Sequence, residues 1–233
     1  MLGIIGAMDE EVSKLKAMLS DLKITKKAGM EFCEGVLFGK NVVVVKSGIG
    51  KVNAAICTQI LADIFKVNAI INTGIAGSLN DKINIGDIVL SKDALQHDMD
   101  TSAFGDPIGV IPRMEVSEFP GDENLIKLAE ECCSRVLPQI QTFVGRVVSG
   151  DQFISDKAKK QWLTDTFHGY CTEMEGAAIA HAAYLNGIPF LVIRAISDKA
   201  DDSAAGMDYP TFEAMAIENS VKLISEMIEK GTF

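Results

Sequence analysis

Short runs of apolar, mostly β-branched residues recur along the chain, and stretches with helical periodicity separate them. Several runs lack the alternation of apolar and polar positions of a half-exposed strand, which is typical of strands covered on both faces. Strands that alternate with helices predict a largely parallel or mixed sheet with helices on both faces. The predicted strands are residues 2–6, 41–46, 68–74, 86–95, 143–150 and 189–196.

Helical stretches lie between and after these strands. Residues 51–65 follow the sequence SGIG, residues 175–187 are alanine-rich and end at a glycine, and residues 210–230 are amphipathic. A glycine just after a helical stretch is a common helix end. A length of 233 residues fits one domain, residues 1–233. We therefore predict an α/β single-domain three-layer sandwich with a central mixed, twisted β-sheet flanked by helices.

The overall charge narrows the choice of partners. The chain has 22 Lys and Arg against 32 Asp and Glu, a net charge of −10, and 48% of its residues are hydrophobic. An acidic surface repels nucleic acids and anionic membranes, so we expect neither as a partner. No apolar run reaches the roughly 20 residues of a membrane span. A small neutral or zwitterionic ligand fits this charge.

The cysteines and the known cofactor motifs give further expectations. Five cysteines with irregular spacing and no CxxC pair indicate neither a disulfide framework nor a zinc cluster, and they favour a reducing cytoplasm. The N-terminal sequence MLGIIGAMDEEV lacks a basic region and predicts a first strand, not a signal peptide. The sequence HDMD at 97–100 is interpreted as a polar loop. With no GxxxxGK[ST] or GxGxxG motif, we predict no metal and no cofactor.

Glycine and acidic residues gather just after the predicted strands. In open α/β sheets, ligands bind beyond the carboxyl ends of the strands, so these turns are the candidate site. Each single glycine has a simpler explanation, since tight turns require positive φ. The turns are GAMDEEV (6–12), SGIGK (47–51), TGIAGS (73–78), VSGDQFI (148–154) and AISDKADD (195–202).

Two groups of carboxylates near these turns have both a structural and a chemical interpretation. Glu10 and Glu11 open a helix, where acids complement the helix dipole, but one of them could face the site as a general base. Glu173 and Glu175 flank Met174 before another helix. A carboxylate there could accept hydrogen bonds from two sugar hydroxyls while the methionine packs against a flat ring.

Asp198 is the carboxylate nearest the end of the last strand. Burial would raise its pKa and let it donate a proton near neutral pH. Arg194 lies four residues earlier, on the same face of a regular strand, and its charge would lower that pKa. Ser197 could cap the following turn. Two carboxylates without a metal or an obvious nucleophile indicate glycoside-type chemistry, in which one acid protonates the leaving group and another activates water.

Taken in order, the motifs resemble those of one enzyme family. They are GIIGAMDEEV, SGIGKVNAA, INTGIAGS, HDMDTSAFG, VSGDQFI, EMEGAAIAH and RAISDKAD. The chain is similar from Gly3 to about Phe212 to the 5′-methylthioadenosine/S-adenosylhomocysteine nucleosidases. The resemblance implies a nucleoside phosphorylase-like fold, a homodimer, a nucleoside substrate and irreversible hydrolysis of the N-glycosidic bond. The products would be adenine and an S-substituted ribose.

The same resemblance implies roles for individual residues. Glu11 would activate water, Asp198 would protonate the purine, and Glu175 would bind the ribose hydroxyls. Phe153 would stack on adenine, and the backbone of Ile154 would meet its edge. The other implied substrate contacts are Met174, Met8, Ile49, Ala76, Gly77, Arg194, Ser197, Tyr209 (where the family often has Phe) and, from the partner subunit, Phe104 and Pro112.

Alternative functions on the same fold differ in their nucleophile or their substrate. A phosphorylase must bind phosphate, for which arginine is the favoured partner. The arginines are residues 113, 135, 146 and 194, and the N-terminal turn carries carboxylates, which favours water. A non-catalytic nucleoside-binding protein would lack Glu11 or Asp198, and both are present. An aminofutalosine hydrolase stays open, and Ile75 replaces a serine of some family members.

Overall fold

The computed structural model describes residues 1–201 and 209–233, with the side chain of Tyr209 outside the described part. Within these ranges, ten strands form one mixed sheet and six α-helices pack around it. The strands are β1 Leu2–Gly6, β2 Ser20–Lys27, β3 Met30–Leu37, β4 Lys40–Lys46, β5 Ala69–Ser78, β6 Ile88–Gln96, β7 Phe119–Pro120, β8 Thr142–Ser149, β9 Cys171–Glu173 and β10 Phe190–Asp198. The helices are α1 Asp9–Ala17, α2 Lys51–Ile60 (continued by a π-helical turn, Leu61–Phe65), α3 Glu123–Val136, α4 Lys157–Phe167, α5 Gly176–Leu185 and α6 Tyr209–Lys230.

The predicted elements are present, and the chain contains further ones that the pattern did not indicate. The six predicted strands are β1, β4, β5, β6, β8 and β10, and the predicted helices are α1, α2, α5 and α6. The pattern missed β2 because its sequence, SDLKITKK, is almost wholly exposed at the sheet edge. It missed β9 because that strand has three residues. That residues 1–233 form one domain stays a prediction.

One part of the sheet ends at an edge strand, β2, and the other part closes into a ring of strands. Strands β2, β3, β4 and β1 lead in this order to β5, with β1 parallel to both β4 and β5. From β5 the strands β10, β6, β8 and β9 continue in a ring, and β9 pairs again with β5. The predicted mixed sheet with flanking helices is confirmed, and the ring adds a barrel-like closure to it.

Apolar cores cover both faces of the central strands. In β1, Leu2 and Ile4 pack into one core with α6, while Ile5 packs into the core on the opposite face with α2 and α5. All three side chains are fully buried, and each stabilises the fold by about 1.5–3 kcal/mol. Burial on both faces is the reason that the sequence of β1 shows no polar alternation.

One edge of β5 changes its neighbour along its length, and this change creates the opening at the site. The edge pairs with β1 from Ala69 to Asn72 and with β9 at Gly77 and Ser78. The opposite edge pairs with β10 along Ile70–Gly77. Residues 73–76 therefore face a gap between β1 and β9, at the carboxyl end of β1. Such a switch of neighbours is where α/β sheets bind ligands.

Two further features concern the environment of the chain. In the described ranges, no helix combines the length and the apolar character needed to cross a bilayer. All five cysteines are buried and unbridged.

Candidate active site

A cavity of about 250 Å³ opens at the gap beside β5. Its walls come from the carboxyl-terminal parts of β5, β9 and β10 and from the segments that follow β1, β4, β8 and β9, at the strand ends that the sequence indicated. Four carboxylates line it, and its lining contains no lysine or arginine. The lining residues are Ala7, Met8, Glu11, Ile49, Ile75, Ala76, Gly77, Phe153, Thr172, Glu173, Met174, Glu175, Ser197 and Asp198.

The side chain of Glu11 lies beside β5, in the gap between β1 and β9. It lies in the first turn of α1, and its Oε2 accepts hydrogen bonds from the backbone N–H groups of Ala7 (2.6 Å) and Met8 (3.0 Å). Its Oε1 accepts from the N–H of Ile75 at 3.3 Å. Burial raises the pKa of Glu11, although the charge of Arg194 and these N–H groups act in the opposite direction. Glu11 thus both caps the helix and presents a buried carboxylate to the cavity.

Two glycines of β5 leave room for carboxylates. A Cβ on Gly74 would lie 2.7 Å from Glu11 Oε1, and a Cβ on Gly77 would lie 2.8 Å from Asp198 Oδ1. Neither glycine has a positive φ, unlike Gly48 and Gly50. Backbone conformation therefore accounts for the SGIGK glycines, whereas the TGIAGS glycines are explained by the space that the carboxylates occupy.

Asp198 ends β10 directly after a bulge. The register of β10 against β5 shifts between Ile196 and Asp198, and bulges commonly re-aim a side chain beside a site. Asp198 Oδ1 accepts from the N–H of Ala200 (2.7 Å), and Oδ2 accepts from the Ser197 hydroxyl (2.8 Å). Burial raises the pKa of Asp198 despite these hydrogen bonds. This answers the question that the sequence left open, because the bulge breaks the strand face that Arg194 and Asp198 were expected to share.

Arg194 lies outside the lining of the cavity, so its predicted contact with substrate stays a prediction. The side chain is only 1% exposed, and one nitrogen, Nη2, donates to Glu173 Oε2 (2.5 Å) and to Asn72 Oδ1 (2.5 Å). Glu173 also accepts from the Ser149 hydroxyl and from the backbone N–H of Gly176 (2.7 Å) at the start of α5. A buried guanidinium needs such a partner, so Arg194 lies behind the cavity wall and supports Glu173.

Glu175 faces the cavity next to this ion pair. Its Oε1 accepts from the N–H of Gly50 at 2.8 Å. Burial, followed by repulsion from the Glu173 charge, raises the pKa of Glu175 to about 7. The two glutamates of EMEG therefore differ in their contacts: Glu173 caps α5 and pairs with Arg194, and Glu175 faces the cavity beside Met174.

The remaining predicted residues divide into three groups. Seven line the cavity, and their contact with substrate stays a prediction: Met8, Ile49, Ala76, Gly77, Phe153, Met174 and Ser197. Ile154 is buried and lines a small adjoining recess with Phe153 and Asp198. Phe104, which is 89% exposed, and Pro112, also exposed, lie outside the lining of this cavity, so their contribution from a partner subunit stays a prediction. The side chain of Tyr209 lies outside the described residues.

Four lining residues were not among the predicted contacts. Ala7, Ile75 and Thr172 carry no chemistry that would single them out, although each lies in or beside a predicted motif. For Glu173 the sequence offered two interpretations, a helix-terminal acid or a carboxylate that binds sugar hydroxyls, and neither is an ion-pair partner of an arginine. Its burial and its pairing with Arg194 depend on residues 21 positions apart, which no local pattern indicates.

Comparison with known proteins gives the class and then the family. The sequence profile of the phosphorylase superfamily matches residues 1–229. A 5′-methylthioadenosine/S-adenosylhomocysteine nucleosidase of Psychromonas ingrahamii is 40% identical over 228 residues, 97% of each chain. The nucleosidase of Colwellia psychrerythraea, solved with adenine, superposes with a TM-score of 0.92 at 38% identity, over 97% of this chain and 93% of that one. A futalosine hydrolase of Helicobacter pylori superposes with a TM-score of 0.92 at 34% identity, over 99% of this chain and 97% of that one.

The chain belongs to the phosphorylase superfamily and, within it, to the family of 5′-methylthioadenosine/S-adenosylhomocysteine nucleosidases. The resemblance read from the motifs is thereby confirmed, as is the nucleoside phosphorylase-like fold. The prediction that the chain is an enzyme of the N-glycosyl hydrolase class is confirmed as well.

The raised pKa of Glu175 predicts a gain in stability when its charge is removed. Because the folded pKa of about 7 exceeds the ordinary value of 4.5, ionisation of Glu175 destabilises the fold as pH rises through 7. Glu175→Gln keeps the acceptor for Gly50 and should raise the melting temperature at pH 8.5 by about 2–4 °C. At pH 5.5 the gain should shrink, because the wild-type side chain is then protonated. Thermal unfolding at both pH values measures this, with the exposed Glu10→Gln as control; an equal gain at both would contradict the prediction.

Proposed function

We propose that this protein hydrolyses the N-glycosidic bond of 5′-methylthioadenosine and S-adenosylhomocysteine, releasing adenine and the S-substituted ribose. The observation that carries the proposal is that two buried carboxylates from distant parts of the chain, Glu11 and Asp198, line the same cavity. In our proposal, one activates water and the other protonates the leaving base. The family to which the chain belongs supports the choice of substrates.

Asp198 acts as the general acid. Adenine is a poor leaving group as an anion, so a proton delivered to its imidazole-side nitrogen lets it depart as a neutral molecule. The raised pKa of Asp198 favours the protonated form that this step requires. As the bond between the anomeric carbon and the purine nitrogen breaks, its electron pair moves into the base, and the ribosyl carbon becomes cationic.

Glu11 acts as the general base. Three backbone N–H groups hold its carboxylate in one orientation, and the raised pKa makes the ionised form a stronger base. Water forms the new bond to the anomeric carbon and gives a proton to Glu11. The carboxylates that line the cavity stabilise the positive charge that develops on the ribosyl group.

The rest of the lining matches the other parts of such a nucleoside. Glu175 accepts hydrogen bonds from the ribose hydroxyls, with Met174 against the sugar and the base. Phe153 stacks on adenine, a contact worth about 1–3 kcal/mol in comparable cases. Met8 and Ile49 provide an apolar surface for the alkylthio group.

The charge of the cavity favours water over phosphate as the nucleophile. Four carboxylates line it, while Arg194 is held behind the wall by Glu173. A phosphate dianion would meet repulsion there, without the arginine that phosphate sites use.

We therefore expect that phosphate does not accelerate the release of adenine. Adenine production from 5′-methylthioadenosine should proceed at the same rate in phosphate buffer and in an amine buffer of equal ionic strength. The sugar product should be the free S-methyl ribose, identified by mass spectrometry. A strict need for phosphate, with a ribose 1-phosphate product, would show that the protein is a phosphorylase.

Removing either proposed acid–base group should nearly abolish turnover. Glu11→Gln and Asp198→Asn should each lower kcat by at least about 10²-fold, the usual scale for losing such a group. The matched controls are the exposed neighbour Glu10→Gln and the fully exposed Asp81→Asn, which should retain the wild-type rate. The measurement is initial adenine release; near-normal rates for both site variants would refute the assigned roles, and no release by the wild type would indicate a binding protein.

Aminofutalosine is a second candidate substrate. The futalosine hydrolase of Helicobacter pylori is 34% identical to this chain and has the same fold. The same two carboxylates would serve that reaction, because the bond to adenine is unchanged and only the 5′ substituent differs. A panel of methylthioadenosine, adenosylhomocysteine and aminofutalosine, compared by kcat/KM, ranks the candidates.

We further propose that two copies of the chain form a homodimer that completes the alkylthio end of the cavity. The support is an exposed apolar surface near the cavity mouth, since Ile49 (55% exposed), Val52 and Ile56 lie on one loop and helix beside the cavity. Phe104 and Pro112 of the partner would enter the cavity, as the resemblance implies. We also propose a cytoplasmic location. A small nucleoside substrate fits this location, and so do the unbridged cysteines.

Loss of the Phe104 side chain should weaken both dimer and substrate binding. Phe104→Asp should lower the dimer fraction in sedimentation velocity and raise KM for methylthioadenosine at least about fivefold, which corresponds to a lost contact of about 1 kcal/mol. Phe38→Asp, at an exposed phenylalanine in the β3–β4 turn, is the matched control and should change neither. A monomeric wild type with full activity would refute the dimer proposal.

A further inference from the structure

We propose that Lys51, Asp98 and Asp151 form a clamp that sets the spacing of two cavity walls, and so the affinity for the base and the alkylthio group. The first wall is the Ile49 segment, residues 47–50, and the second is the Phe153 segment, residues 150–154. The three residues lie outside the lining of the cavity, so they would act by positioning and take no part in the chemistry. This inference rests on the proposed function.

Four hydrogen bonds build the clamp. Lys51 Nζ donates to Asp98 Oδ1 (2.5 Å) and to Gln96 Oε1 (3.1 Å). The backbone N–H of Lys51 donates to Asp151 Oδ1 at 2.8 Å, and the N–H of Asp151 donates to Asp98 Oδ2 at 3.0 Å. Asp98 therefore bridges the ammonium of Lys51 and the backbone of the Phe153 segment, and Asp151 bridges back to the start of α2.

The carboxylate of Asp151 caps the N-terminus of α2 through the backbone N–H of Lys51. The N-cap residue of this helix, Gly50, offers no side chain to the unpaired N–H groups of the first turn, and no acidic residue of α2 lies there. The Asp151 carboxylate supplies both the acceptor and the negative charge that a helix N-terminus favours. A Cβ on Gly50 would lie 3.1 Å from Asp151 Oδ1, so the glycine allows this approach.

The clamp connects to groups that do contact the substrate in the proposed function. The N–H of Gly50, next to Lys51, donates to Glu175 Oε1. On the other side, the ring of His97 packs against Gly150, and the backbone N–H of His97 donates to Ser149 O at 2.9 Å. Lys51 is thus joined in one direction to the proposed ribose-binding carboxylate and in the other to the root of the Phe153 segment.

The two walls need such a constraint because their own side chains are poorly packed. Ile49 and Phe153 are each 55% exposed, and both line the cavity. A wall that is already ordered loses no conformational entropy when the ligand binds. The ligand therefore binds more tightly. The clamp residues do not contact the bond that breaks, so their loss should alter binding more than the chemical step.

The test separates binding from chemistry. Lys51→Met, Asp98→Asn and the double variant should each raise KM for 5′-methylthioadenosine about tenfold, with kcat changed less than about threefold. Since the two residues act as one contact, the double variant should resemble the single ones. Weaker binding of adenine alone, measured by calorimetry, should accompany the change. Wild-type turnover itself tests the proposed function, so a failure of that function is seen before any variant is compared.

Matched variants distinguish the clamp from a general structural role. Lys51→Arg keeps the positive charge, and Asp151→Asn keeps the hydrogen-bond acceptor, so both should retain a near-normal KM. Asp151→Ala removes the acceptor and should raise KM. Lys26→Met removes an exposed ion pair with Glu31 far from the cavity and should have no effect. Amide hydrogen exchange should quicken in residues 47–53 and 150–154 of the clamp variants, with β10 unchanged. Unchanged KM, a fall in kcat alone, or faster exchange throughout the sheet would each overturn the inference.

Discussion

The buried ion pair between Arg194 and Glu173 holds together the strands around the cavity. Arg194 lies on β10 and Glu173 on β9, and the guanidinium also donates to Asn72 on β5. The amide of Asn72 in turn donates to the backbone oxygen of Ile5 on β1, at 3.0 Å. One polar chain therefore crosses the four strands where the ladder of β5 is interrupted. Without a cation at this point, the carboxylates in the cavity would repel one another with no compensating charge.

Three carboxyl groups of the cavity are buried at positions where their ionisation destabilises the fold. Glu11, Glu175 and Asp198 are buried, and burial raises the pKa of each. Each therefore favours the neutral form more than an exposed carboxyl does, and each ionised group costs folding stability. Backbone N–H groups from α1, from the Gly50 turn and from Ala200 offset part of this cost. Ionised carboxylates suit a reaction whose transition state carries positive charge, because they stabilise that charge directly.

The sequence predicted the framework and the position of the site better than the contacts within it. Apolar runs such as residues 2–6 and 189–196 identified the strands covered on both faces, and the acids after them marked the cavity. The exposed strand β2 and the short strand β9 lacked such a pattern. Arg194 and Asp198 were expected on one face of the strand, and this alternation fails at the bulge before Asp198. Gly74 and Gly77 could be explained only once the carboxylates beside them had coordinates.

The closure of the strand ring has a consequence for the order in which the molecule is made. β10 pairs with β5 across more than a hundred intervening residues, and it brings Asp198 beside Gly77 of β5, in the same cavity as Glu11 from the first helix. Contacts of such large separation form late in folding. During synthesis, the N-terminal strands and α1 can assemble around Glu11 well before the last strand leaves the ribosome. A nascent or prematurely terminated chain would thus hold half of a site and be chemically silent.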